Sequence, residues 1–208
     1  MGAQQWWGTE GTLGRVGVLA LSGWTLFACQ PPGPTSRSMV LDEGWTVSGV
    51  DTFTAAVPAT VPGTVHTDLL ASGLIPDPFW RDNEGRLQWI GEEDWIYRST
   101  FQVGSGFLEA EVIELVFQGL DTFAEVVLND RSVLEADNMF RRWSVDVKPH
   151  LLTGENTLEV RFRSPLPPAL AARAALPYPL PAGNDRGDPP SRVFVRKAAY
   201  HYGWDWGP

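Results

Sequence analysis

The residues best equipped to hold a polar ligand are the last few of the chain. In HYGWDWGP, residues 201–208, the carboxylate of Asp205 stands between Trp204 and Trp206, with Gly203 and Gly207 on the outer sides. A carboxylate accepts two hydrogen bonds and an indole offers a flat apolar face. Together they suit a ligand with adjacent hydroxyls and a patch of C–H surface, as a sugar has. The glycines permit the sharp turns that would project such rings from a loop. The same tryptophans could equally pack the interior of a β-rich domain, and the residues alone leave both readings open.

Other groups could take part in chemistry. Arg196 and Lys197 set two cations shortly before Asp205, able to pair with its carboxylate, to touch a ligand or to brace the segment. His201 precedes Asp205 by four residues, but Gly203 and the tryptophans argue against a helix that would align the two, so no metal site is expected. His66 and Asp68 fit a short helix better than a ligand pair. Glu92-Glu93-Asp94 supplies clustered carboxylates, yet an acid and a nucleophile for glycoside cleavage must face each other across about 5 to 9.5 Å. Three neighbours before a strand read instead as a solvated turn. The single cysteine, Cys29, excludes an internal disulfide and a thiolate metal site.

The elements that would position these residues are strands. Residues 95–103 (WIYRSTFQV) put Trp95, Tyr97, Phe101 and Val103 on one face and Arg98, Thr100 and Gln102 on the other. Leu158, Val160 and Phe162 alternate with charged residues, and Trp143, Val145 and Val147 with polar ones. FAEVVL (123–128), the turn residues Asn129-Asp130-Arg131 and SVLE (132–135) predict a hairpin. VHTDLLAS (65–72) predicts one helix, entered after Pro62-Gly63 and stopped by Gly73. Strands separated by turns, with no phosphate-binding glycine loop and no βαβ alternation, indicate an all-β fold of two antiparallel sheets, a sandwich or jelly roll. Two stretches depart from the strand pattern: the proline-rich residues 166–190, which predict a long excursion, and residues 191–208, which open on a short predicted strand.

Twenty-five acidic against sixteen basic residues give a net charge of −9, which repels polyanions and argues against nucleic acid as a partner. The first 28 residues read as a signal peptide. Residues 16–28 (VGVLALSGWTLFA) form an uncharged, largely apolar run behind Arg15, too short to remain as a membrane span. Cys29 follows a small residue at the end of that run and resembles the lipidated first mature residue of a bacterial lipoprotein. Export to the periplasm or outer envelope is expected, with anchoring through Cys29. Residues 29–38, rich in proline and serine, read as a tether, and 39–208 as the folded domain.

Several stretches, in order and spacing, resemble one family. They are LDEGW (41–45), VPGTVHTDLL (61–70), IPDPF (75–79), DWIYR (94–98), GLDT (119–122) and RKAAYHYGWDWGP (196–208). They are similar to the N-terminal sugar-binding, galactose-binding-like domain of β-mannosidases of glycoside hydrolase family 2. VPGTVH and DWIYR occur in the wider family, whereas RKAAYHYGWDWGP is specific to the mannosidase branch.

The resemblance implies a jelly roll packed beside a catalytic (β/α)8 barrel, to which it lends a loop. It also implies that Asp205 and Trp204 hold hydroxyls of the terminal mannose, that Trp206 packs, and that Arg196 supports the loop or the substrate. No cofactor is implied. The family's two glutamates lie on the barrel, so no catalytic residue is expected within these 208 residues. The expected partners are a β-mannoside or oligosaccharide and the barrel in cis. A lectin-like, free-standing carbohydrate-binding lipoprotein is the alternative. The family's domain carries further strands, so this chain is expected to be truncated and, in isolation, to expose strand edges and aggregate.

Overall fold

The computed structural model describes residues 36–183, 185 and 187–202; Cys29, Trp204, Asp205 and Trp206 lie outside them. The described strands are β1 (Thr46–Gly49), β2 (Val57–Pro58), β3 (Trp95–Val103), β4 (Glu114–Phe117), β5 (Phe123–Leu128), β6 (Arg131–Ala136), β7 (Trp143–Asp146) and β8 (Gly154–Arg163). The helices are α1 (Val65–Ala71), the one-turn α2 (Asn83–Arg86) and α3 (Trp89–Glu92), and α4 (Leu166–Ala174).

Six strands form one antiparallel sheet in the order β2-β1-β3-β8-β5-β6, and β4 pairs with β7 in a second. The register lines up one apolar row across the whole first sheet: Val57, Val47, Tyr97, Val160, Val126 and Leu134. Because side chains alternate along a strand, this row selects one face for the core. Trp45, Leu69, Ile90 and Leu120 are buried in the same cluster, with Leu115 and Phe117 of β4 and Trp143 of β7 packed against it. The other face carries an exposed ladder of ion pairs in which Arg98 and Arg161 share Glu159 and Arg161 reaches Glu125.

The hairpin falls where the sequence predicts it. Asn129 and Asp130, between β5 and β6, both have positive φ, 49° and 63°, the pair of left-handed residues that a two-residue hairpin turn requires and that Asn and Asp tolerate. Asn129 is also held from outside the hairpin. Its Oδ1 accepts the Thr157 amide at 2.9 Å while its Nδ2 donates to Asn156 Oδ1 at 2.7 Å.

Helix α1 also forms as expected. Thr64 caps it, accepting from the Thr67 amide while its own amide donates to the Thr67 hydroxyl. On its inner side Asp68, 3 % exposed, accepts from the Tyr97 hydroxyl at 2.8 Å and the Thr60 amide at 2.9 Å. That carboxylate ties the helix to the sheet.

Three expectations need correction. Glu93 is not part of a solvated turn: it is 6 % exposed, and its Oε1 accepts the amides of Asp51, Thr52 and Phe53. Three adjacent N–H groups make a concave anion cradle, which turns a surface-looking residue inward. A methyl group on Gly49 would collide with this carboxylate, so the close approach requires glycine there. Residues 166–190 do not leave the sheets as irregular chain throughout. They begin with α4, whose prolines occupy the first turn, where a missing N–H costs nothing. Finally, the strand expected at the start of 191–208 is a 3-10 turn, Arg192–Phe194.

Burial pushes the Glu93 carboxyl up, but the hydrogen bonds from Thr52, Asp51 and Phe53 outweigh it and leave the group below its ordinary value of 4.5. A depressed carboxyl contributes stability above the unfolded-state value and loses it as pH falls through the folded one. Glu93→Gln should therefore cost about 1 to 3 kcal/mol near neutrality. Urea midpoints of the two proteins should converge as pH drops well below 4.5.

Candidate functional site

The chain reaches Gly203 through a strap, residues 191–202, laid over the loops at one end of the sheets. Its start is fixed by Asp185. Oδ2 of that residue accepts the amides of Ser191 and Arg192 at 2.7 and 2.8 Å, and Oδ1 accepts Gly187 at 2.9 Å. From α4, Arg173 Nη1 donates to the Pro190 carbonyl at 3.1 Å, and Arg192 Nη2 donates to Gly183 O at 2.6 Å.

The middle of the strap is laced to the β6–β7 loop. Asn138 and Arg196 form a parallel bridge, the Met139 amide donates to Arg196 O at 3.1 Å, and the Ala198 amide donates to Met139 Sδ at 3.0 Å. Arg196 thus supports the segment through its backbone while its side chain is exposed. Val195 and Ala198, within the strap, are buried.

The last turn, Ala199–Tyr202, converges on the β4–β5 loop. Lys197 Nζ donates to Asp121 Oδ2 at 2.5 Å, and His201 Nε2 lies 3.8 Å from the same oxygen. The other oxygen of Asp121 accepts the Thr122 hydroxyl. Burial first, then the Lys197 cation, lowers the pKa of both His66 and His201, with Asp121 pulling His201 the other way. Both imidazoles thus favour the uncharged form, and among the described residues Lys197 is the cation hydrogen-bonded to Asp121. Burial, then the charges of Asp121 and Asp185, push the Tyr202 phenol up despite Arg192. Among the described residues its buried hydroxyl has no hydrogen-bond partner. A polar cavity of about 320 Å³ opens beside the strap, lined by Arg192, Phe194, Arg196, Lys197 and Ala199 among others.

Of the residues singled out from sequence, Arg196 and Lys197 fall on the strap, and Trp204, Asp205 and Trp206 follow it in the chain outside the described residues. The clustered carboxylates do not form a catalytic pair. Glu93 is committed to the 51–53 amides, and Asp94 Oδ1 accepts the Ser164 amide at 2.6 Å. Asp68 serves Tyr97 and Thr60, so it is not a ligand partner for His66. Among the described residues no cluster of His, Cys, Asp or Glu could hold a metal ion. Two strap anchors escaped the sequence reading, Asp121 and Asp185. The Asp185-x-Gly187 spacing is an Asx-turn signal. Asp121 lies 76 positions from Lys197, and nothing local announces that pairing.

The family model for the glycosyl hydrolase 2 galactose-binding-like domain matches residues 45–208, well over half the chain. The chain belongs to this family. Among relatives of this galactose-binding-like domain, β-mannosidase B of Emericella nidulans is 44 % identical over 174 residues, covering 81 % of this chain and 20 % of that protein. The β-mannosidase of Rattus norvegicus is 35 % identical over 196 residues, covering 92 % and 21 %. The crystal structure of β-D-mannosidase from Dictyoglomus thermophilum superposes with a TM-score of 0.72 at 48 % identity, covering 81 % of this chain and 20 % of that one. The domain spans about a fifth of the length of the relatives it matches. The all-β sandwich predicted from strand alternation is thus the family's fold, and the sequence resemblance is borne out.

Proposed function

We propose that this domain is the sugar-recognition part of a glycosidase that removes non-reducing terminal β-D-mannose. In this reading Trp204 and Asp205 contact the terminal sugar, and the carboxylates that break the bond belong to a catalytic barrel outside these residues. The supporting observation is the 35 to 48 % identity to proteins named β-mannosidase over at least four-fifths of the chain. The described residues that precede this segment in the chain are tied to the 183–190 stretch, the β6–β7 loop and the β4–β5 loop, which supports the reading.

The chemistry required of such a domain is orientation. The sugar must present its anomeric carbon to a nucleophile on one face and its leaving oxygen to an acid on the other. A carboxylate holding hydroxyls and a ring against the C–H face fix that orientation before the bond is strained. The experiment is an NMR titration of the 208-residue chain with methyl β-D-mannoside and methyl β-D-galactoside. Millimolar, mannoside-selective binding supports the reading, and equal or absent response to both sugars refutes it. Submicromolar affinity for mannosides by the chain alone would favour a free-standing binding module, because a site shared with a barrel should bind weakly by itself.

We also infer export and lipidation at Cys29 from the apolar run that precedes it. In a bacterial host an alkynyl fatty acid should label the wild-type protein and not Cys29→Ser. Labelling that persists in the variant would overturn the assignment.

A further inference from the structure

We propose that Met139 is an oxidation site, and that its conversion to the sulfoxide releases the strap from the β6–β7 loop. The Met139 amide donates to the Arg196 carbonyl at 3.1 Å, and the Met139 sulfur accepts the Ala198 amide at 3.0 Å. One residue of the loop therefore serves the strap twice, as donor and as acceptor.

The loop holds that sulfur in place. Asn138 Oδ1 accepts the Phe140 amide at 2.9 Å, and the Asn138 carbonyl accepts the Trp143 indole N–H at 3.3 Å. A methyl group on Gly119 would stand 3.2 Å from the Met139 carbonyl, so the main chain is backed from the β4–β5 side as well. Ala198, whose amide points at the sulfur, is 7 % exposed. Met139 itself is half-buried, which leaves it accessible to a small oxidant.

A thioether is a weak hydrogen-bond acceptor and is readily oxidised. With hydrogen peroxide, a sulfur lone pair attacks one peroxide oxygen. The O–O bond breaks as the S–O bond forms, and the other oxygen leaves as water carrying both hydrogens. Sulfur gives up two electrons and peroxide takes them. The product is a polar, chiral sulfoxide in place of a flexible apolar chain. Its oxygen needs room beside a sulfur already 3.0 Å from a buried amide, and a close-packed interior provides none without a shift. The strap belongs to neither sheet, so it is the element that yields.

The test treats the 208-residue chain with graded hydrogen peroxide and maps the gain of oxygen at each of its three methionines by peptide mass. Met39, 42 % exposed and ahead of the first strand, is the internal comparison. Amide hydrogen exchange at Ala198, at Val160 inside β8, and the thermal midpoint are the other readouts. Oxidation of Met39 should change none of them. Oxidation of Met139 should speed exchange at Ala198 at least about tenfold and leave Val160 and the midpoint nearly unchanged, as a local opening does. Methionine sulfoxide reductases acting on both epimers should restore the slow exchange. Met139→Leu, which can neither accept the bond nor be oxidised there, should exchange fast at Ala198 before peroxide and show no further response to it. Unchanged exchange at Ala198 once Met139 is oxidised, a peroxide response that persists in Met139→Leu, or a Met139 that reacts only after the chain unfolds would each overturn the proposal. The peroxide and reductase steps on the wild-type chain decide the question even where the leucine variant folds poorly.

Discussion

Replacing Asp68 by alanine should destabilise the domain by about 3 to 5 kcal/mol, against a typical total of about 5 to 15 kcal/mol. Its carboxylate is 3 % exposed and accepts from the Tyr97 hydroxyl and the Thr60 amide. Alanine removes two charge-assisted hydrogen bonds, each worth about 1.5 to 3 kcal/mol, and leaves both donors without a partner. It also releases α1 from β3, the strand that spans the centre of the apolar row. Urea unfolding followed by far-ultraviolet circular dichroism measures the loss, and a change below about 1 kcal/mol would contradict the assigned role.

Tyr97 gives the same contact a second readout. Burial, then its hydrogen bond to Asp68 and that residue's charge, push the phenol far above its ordinary value of 10.0. A raised pKa contributes stability that is fully present below the unfolded-state value and lost as pH rises through the folded one. Stability should decline as pH passes 10.0, because the unfolded phenol releases a proton that the folded one keeps. Tyr97→Phe should make that decline shallower.

The second large effect concerns binding. Asp205→Ala should abolish detectable mannoside binding by the chain. A carboxylate accepting two sugar hydroxyls contributes about 1.5 to 3 kcal/mol per bond, so a millimolar interaction would move beyond the reach of a titration. Trp204→Ala should weaken binding by roughly tenfold through loss of ring contact. Both variants should unfold at the wild-type urea concentration. Asp205→Ala binding mannoside as well as wild type would remove Asp205 from the site.

The sheets were legible in the sequence because a half-buried strand writes its burial as alternation, which β7 and the second half of β8 show cleanly and β3 shows apart from Ile96 and Ser99. The β5–β6 hairpin was legible for a different reason: Asn129 and Asp130 are residues that accept the left-handed backbone its turn demands. Glu93 was misread because its partners, the amides of residues 51–53, lie about forty positions away and carry no side-chain signature. The 3-10 turn at Arg192–Phe194 was read as strand because RVFV has strand-favouring residues, while the Asp185 hydrogen bonds that curl the backbone there are tertiary. The motif RKAAYHYGWDWGP pointed to the proposed site, whereas the pairing of Asp121 with Lys197 is long-range and no local pattern encodes it.

The most direct measurement is the set of intermolecular nuclear Overhauser effects between methyl β-D-mannoside and the assigned protons of the 208-residue chain. Contacts from the sugar C–H protons to the Trp204 indole, lost in Asp205→Ala, are the predicted result. Contacts confined to the exposed aromatic residues elsewhere, Phe79, Trp80, Phe140 and Tyr178, would contradict the assignment of sugar recognition to the segment that follows the strap.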